Sequence, residues 1–285
     1  MDHRQSKTSP RAVVIGHPIA HSRSPLIHNH WLRKASLAGL YETADVLPED
    51  LAAFVAAMPG QGIIGANLTV PHKELVLPMA GRVDETARAI GAANLLWFDE
   101  AGRVCVGNTD WSGFLANLDD LAPGWDEQRD VAVMFGAGGA ARAVAYALRR
   151  RGFGQIIVVN RTAARTRALI ADFGDTLVEA SDPLDKVLAR ANFVVNTTSM
   201  GMKGGPSWTY DLEGLNPRAV VHDIVYVPLR TPLLEEAEAR GNRTVDGLGM
   251  LLYGAAPAFE QWFGVRPVVD AGLRDLVLAD LKPQS

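Results

Sequence analysis

The sequence predicts an α/β fold in two domains, on three observations. Short β-branched runs alternate with helix-like stretches along the whole chain, the pattern of largely parallel sheets. A glycine-rich turn, FGAGGAAR at 135–142, follows a strong strand run and opens a helix. The chain has 285 residues and is 48% hydrophobic, enough to bury more than one core.

In order, 11–15 is the first strand, and Ser24 is placed to cap a helix with Pro25 at its first position. Strands are predicted near 41–46, 62–67, 93–98 and 103–107, and helices over 49–57, 72–80, 84–90 and 111–121. Ala122-Pro123-Gly124-Trp125-Asp126 reads as a linker, because Pro-Gly breaks the helix before it. Beyond it come a buried strand at 131–135, a helix to about 151, a strand at 156–159 and a helix from 162. A helix at 184–190, strands at 192–195 and 220–224, a helix at 232–240 and a glycine-punctuated helix at 247–263 complete the pattern.

Composition excludes several functions. A net charge of −4 with no basic run argues against nucleic acid or an anionic membrane as partner. A single cysteine, Cys105, allows no intramolecular disulfide and fits a reducing cytoplasm. The N-terminal stretch MDHRQSKTSPR is polar with no apolar core, so it does not read as a signal peptide, and a short frayed tail is expected. No apolar run reaches the roughly 18–20 residues of a membrane helix. Seven histidines, among them His17, His21, His28 and His30, lack HExxH or short cysteine spacing, so no metal site is expected.

Two stretches carry chemistry. In GANLTVPHKE, Lys73 follows a strand end and a proline. It is either a solvated loop residue or a proton-handling lysine that needs a carboxylate, a cofactor and a substrate cradle. The second stretch is the glycine turn. Gly136 permits a tight turn, Gly138 a close approach of backbone to a pyrophosphate, and Ala141 close helix–strand packing. Phosphates then sit on the helix N-terminus, with Ala137, Gly139 and Ala140 supplying the rest of the loop. An acid at the end of the next strand would select NAD. Asn160-Arg161-Thr162 stands there instead, with Arg165 one step on, and two arginines with no acid favour the 2′-phosphate of NADP.

The chain resembles the shikimate dehydrogenase family from about Arg11 onward. The segments that carry this are GHPIAHSRSPLIHN (16–29), NLTVPHK (67–73), GAAN (91–94), GNTD (107–110), GAGGAAR (136–142), NRT (160–162), NTTSMGM (196–202), DIVYVPLRTPLL (223–234) and DGLGMLLY (246–253). The resemblance implies a discontinuous substrate domain (1–121 plus 246–285), a Rossmann-type NADP domain (122–245) and an active site in the cleft between them. It implies Lys73 and Asp110 as the catalytic pair. Ser22 and Ser24 would bind the carboxylate of shikimate or 3-dehydroshikimate, and Thr69, Asn94 and Tyr226 the ring, with Thr109 beside them. Thr197, Thr198 and Met200 would flank the nicotinamide ribose, and Ile224 and Gly247 would close on the nicotinamide. On the residues alone, Asp110 is equally a helix N-cap before Trp111, and Ile224 is equally strand core. A cytoplasmic enzyme, monomer or homodimer, is the expectation.

Two positions depart from the family pattern. Gly254 stands where the family has a substrate-binding glutamine, and Leu95 where threonine commonly follows the GAAN asparagine. Lost bonds of that kind are worth roughly 1–3 kcal/mol. They raise a paralogue for quinate or a related polyol acid as the first rival. A methylenetetrahydrofolate dehydrogenase would place tyrosine four residues before its lysine, where this chain has Thr69. A non-enzymatic NADP sensor would be expected to lose the Lys73–Asp110 pair first, and both are retained.

Overall fold

A computed structural model describes residues 9–281; the expected N-terminal tail falls on 1–8, outside them. The chain divides into two compact units: residues up to Thr109 with Ala255–Val277, and Asp110–Gly254 with the segment from Leu278.

The first unit holds six strands: β1 (Arg11–Gly16), β2 (Leu40–Asp45), β3 (Ile63–Leu68), β4 (Arg82–Val83), β5 (Leu95–Phe98) and β6 (Val104–Gly107), in the order β2-β1-β3-β5-β6-β4. β1 pairs in parallel with β2 and β3, while β5 runs antiparallel to both β3 and β6. Alternate residues of β1 face opposite cores, Val13 and Ile15 on one side and Ala12 and Val14 on the other. This arrangement has a consequence for function. The ends of β1, β3 and β6 and the start of β5 all open on one edge of the sheet.

The second unit is a parallel sheet throughout: β7 (Val131–Phe135), β8 (Gln155–Val159), β9 (Leu177–Glu179), β10 (Phe193–Asn196), β11 (Val220–Asp223) and β12 (Arg243–Val245). Its order, β12-β11-β10-β7-β8-β9, is the doubly wound dinucleotide-binding order, with the switch point between β7 and β10. Both faces are buried, Ala132, Met134 and Ile156 against one core and Val133, Phe135 and Ile157 against the other.

The structure differs from the sequence expectation in specific places. The stretch 72–80 is not one helix: an α-turn at His72–Leu75 gives way to a 3-10 turn at Leu77–Met79. Pro78 lacks an N–H and disfavours helical backbone at the residue before it. Strands β4, β9 and β12 escaped notice because each is an edge strand of two or three residues, too short to show a period. The compact units also divide elsewhere than at the predicted linker. The helix Asp110–Leu121 groups with the second unit because Phe114 and Leu118 join the core of Trp125, Ala132 and Phe193.

Candidate active site

On the first unit, one edge of the sheet collects the sequence-predicted residues. Ser22 and Ser24 follow β1, Thr69 and Lys73 follow β3, Asn94 precedes β5, and Thr109 follows β6. Backbone bonds fix them. The Thr69 N–H donates to the Ile15 carbonyl (2.9 Å), and the His72 N–H donates to the Thr69 carbonyl (2.8 Å). The Ala93 N–H donates to the carbonyl of Lys73 at 2.7 Å. The buried His72 ring donates from Nε2 to the Val46 carbonyl (2.8 Å), anchoring the short turn that carries the half-buried Lys73.

Ser24 is not the helix cap the sequence suggested. It is the first residue of the helix Ser24–Lys34, Arg23 holds the cap position, and no side chain caps the end. Its N–H instead donates to Ser22 Oγ (3.3 Å), and its hydroxyl bonds the buried Tyr41 phenol. Tyr41 donates to Asn67 Oδ1 at 2.6 Å, and Asn67 Nδ2 donates to the Asn94 carbonyl at 3.1 Å. Asn94 Nδ2 donates to Thr109 Oγ1 (3.0 Å), and the Thr109 N–H returns a bond to Asn94 Oδ1 (2.7 Å). The two serines, Asn94 and Thr109 therefore belong to one network. Tyr41 and Asn67 link it, and sequence reasoning gave neither a role. Asp110 follows directly as the first residue of its helix, an acid in the first turn.

On the second unit every sequence-predicted cofactor residue follows the carboxyl end of a parallel strand, where such sheets bind ligands. Gly136 has φ +111°, and a Cβ there would meet Thr197 Oγ1 at 2.5 Å. Gly138 is the cap residue of the helix Gly139–Arg150, with no side-chain cap, and a Cβ on it would meet nothing within 4 Å. Open space before uncapped N–H groups fits a pyrophosphate. Ala141 is fully buried against the sheet, as its packing role requires.

After β8, Arg161 and Arg165 are exposed, and among the described residues neither is paired with an acid. Asn160 Nδ2 donates to the Thr162 carbonyl (2.9 Å), shaping the turn that presents them. After β10, both threonine hydroxyls are committed within the protein. Thr197 Oγ1 donates to the Phe135 carbonyl (2.7 Å) and Thr198 Oγ1 to Asn196 Oδ1 (2.7 Å). Thr197 and Thr198 thus shape the turn that ends at Met200. After β11, Ile224 is half-buried and in contact with the core, so it is strand-end core and a turn residue at once. Gly247 is required by close approach: a Cβ there would lie 2.3 Å from the Ile224 carbonyl oxygen. Tyr226 lies in the turn beyond, half-buried.

The departing glycine has a packing context. A Cβ on Gly113 would lie 2.7 Å from the Gly254 nitrogen and 2.8 Å from its Cα, so two helices cross there backbone to backbone. Among the described residues no group of three or more His, Cys, Asp or Glu could hold a metal ion; His17 Nδ1 bonds Asp45 (2.6 Å), while His28 is buried and stacked on Tyr41.

Two family models match the chain: "Shikimate dehydrogenase substrate binding domain" over residues 14–96 and "Shikimate / quinate 5-dehydrogenase" over 123–202. A shikimate dehydrogenase (NADP(+)) of Azorhizobium caulinodans is 53% identical over 272 residues, covering 95% of this chain and 96% of that relative. The chain belongs to the shikimate dehydrogenase family. Another family member, from Brucella abortus, is 50% identical and covers 99% of this chain and 98% of its own length. Among solved structures, shikimate 5-dehydrogenase of Thermus thermophilus in complex with NADP(H) and shikimate is similar, with TM-score 0.85, 36% identity and coverage of 95% of this chain and 99% of that one. Quinate dehydrogenase of Corynebacterium glutamicum in complex with NAD is also similar (TM-score 0.87, 32% identity, 95% and 99% coverage).

Proposed function

We propose that this family member is an NADP-dependent shikimate dehydrogenase, interconverting 3-dehydroshikimate and shikimate in aromatic amino acid biosynthesis. The reading rests chiefly on one observation. A single sheet edge holds the two serines, Thr69, Lys73, Asn94 and Thr109, with Asp110 next in the chain. That set suits a small ring bearing a carboxylate and several hydroxyls. NADPH, when bound, supplies the hydride. The glycine turn, the uncapped helix end, and Arg161 with Arg165 are the groups that hold its pyrophosphate and 2′-phosphate.

Lys73 gives a proton to the ketone oxygen as the alcohol forms, and its amine takes that proton back in the oxidative direction. Asp110 orients the lysine and accepts a hydrogen bond from a ring hydroxyl. Ser22 and Ser24 receive the carboxylate, and Thr69, Asn94 and Tyr226 fix the ring. The reading places the enzyme in the reducing cytoplasm, which a single free and buried cysteine, Cys105, fits; a monomer or homodimer is part of the same proposal. A quinate-directed paralogue is the second reading, favoured by Gly254 and Leu95. Initial rates with shikimate and with quinate, each with NADP and NAD, test both. Shikimate with NADP should give the highest kcat/KM; a highest value for quinate would overturn the substrate assignment.

A further inference from the structure

Asp223, the last residue of β11, is fully buried and plays no part in the chemistry above. A buried carboxylate is costly to keep unless donors surround it. Three do. Asn196 Nδ2 donates to Oδ1 at 3.0 Å, the Val225 N–H donates to the same oxygen at 2.9 Å, and Thr231 Oγ1 donates to Oδ2 at 2.7 Å. Asn196 is the residue paired with Asp223 across β10 and β11. Burial pushes the Asp223 pKa up to about 7, against the bonds from Thr231, Val225 and Asn196.

The two carboxylate oxygens serve different parts. Oδ2 meets Thr231, which caps the helix Pro232–Ala239 by accepting from the Leu234 N–H. Oδ1 meets Asn196, whose remaining side-chain bonds go into one turn. Asn196 Nδ2 also donates to the Met200 carbonyl (3.1 Å), and its Oδ1 accepts from the Thr198 N–H (3.0 Å) and the Thr198 hydroxyl (2.7 Å). The Met200 N–H then donates to Thr198 Oγ1 (3.0 Å). The turn Thr197–Met200 is thus a closed circuit tied to β11 through Asp223. The same oxygen fixes the start of the neighbouring turn, Ile224 to Tyr226, through Val225.

We propose that Asp223 is a positioning residue for the reaction: through Asn196 and Val225 it holds in register the two turns that meet the nicotinamide end of NADP. The inference rests on the cofactor reading above. Its arm to Asn196 governs cofactor affinity and turnover, and its arm to Thr231 serves the fold alone. A carboxylate kept only for stability would couple the two arms equally to function.

The test is a set of variants read by NADPH binding (fluorescence titration), shikimate oxidation kinetics and melting temperature. Asp223→Ala should weaken NADPH binding and lower kcat by about tenfold or more each, the scale of a lost positioning bond. Asp223→Asn keeps an acceptor toward Asn196 and Val225 and should restore most of both. Thr231→Val should lower the melting temperature while affinity and kcat stay within about twofold of the parent, less than one such bond. Asn196→Ala breaks the same arm from the other side and stands in if Asp223→Ala does not fold. Kinetics unchanged in Asp223→Ala or Asn196→Ala, an equal kinetic loss in Thr231→Val, or no recovery with asparagine would each overturn the inference. A parent protein that fails to bind NADPH would instead sink the cofactor reading, and this inference with it.

Discussion

At the scale of single residues, the hydroxyls of Ser24, Thr197 and Thr198 are each bonded within the protein. Serine before proline suggests a helix cap, but in the structure the Ser24 hydroxyl meets Tyr41, seventeen positions on in the chain and outside any local pattern. Thr197 and Thr198 stand in the loop where a nicotinamide ribose is expected to pass; the Thr197 hydroxyl donates to the Phe135 carbonyl at the end of β7 and the Thr198 hydroxyl to Asn196. Gly136 was legible as a tight turn, at φ +111°, whereas the close approach of Gly247 to the Ile224 carbonyl was not read from the sequence. The arginines make a direct prediction. Replacing Arg161 with glutamine removes a charge-assisted partner of the 2′-phosphate, so KM for NADP should rise about tenfold or more while KM for NAD changes little. Equal losses with both cofactors would assign Arg161 to the fold.

At the scale of elements, long buried strands such as β7 and β8 were legible because their apolar runs have no other use. Edge strands of two or three residues were not. The crossing of the helices Asp110–Leu121 and Leu248–Phe263 was hidden too, since it depends on Gly113 meeting Gly254, 141 positions apart only in three dimensions adjacent. Two effects compete in Gly113→Ala. Alanine gains about 1 kcal/mol of helix propensity, while overpacking costs typically about 1–3 kcal/mol. The new Cβ would sit 2.6 Å from the Met250 carbonyl oxygen and 2.8 Å from the Gly254 Cα, backbone atoms that cannot rotate away. Overpacking wins, and the variant should melt below the parent in calorimetry. A higher melting temperature would mean the crossing opens freely.

At the scale of the whole molecule, two buried histidines make stability depend on pH. Burial lowers the His28 pKa to about 3, opposed in part by Asn67, and lowers that of His222 to about 4, opposed by the Val245 carbonyl and Asp246. Both folded values lie below the unfolded 6.5, so the contribution is complete above that pH and is lost as pH falls toward the folded values. Each histidine then costs about 1.4 kcal/mol per pH unit. Asp223 works the other way, its raised value favouring the folded state as pH falls through about 7. His28→Leu, similar in volume, isolates one term: the parent should lose about 2 kcal/mol relative to the variant between pH 6.5 and 5 in urea titrations. Parallel curves would show that His28 takes up its proton in the folded state.

The division into two units was legible in outline, from the Pro-Gly break and the glycine turn. Its boundaries were not, because Phe114 and Leu118 commit their helix to a core that only the folded chain reveals. The roles of Lys73 and Asp110 rest on the motifs NLTVPHK and GNTD and on the sheet edge that the first of them follows. The most direct test is the rate of shikimate-dependent NADP reduction by the parent and by Lys73→Met, which keeps the stem and removes the charge. The account predicts turnover in the parent, and in the variant a loss of about 10²–10⁴-fold with NADPH binding retained. A variant that keeps the parent's rate would contradict it.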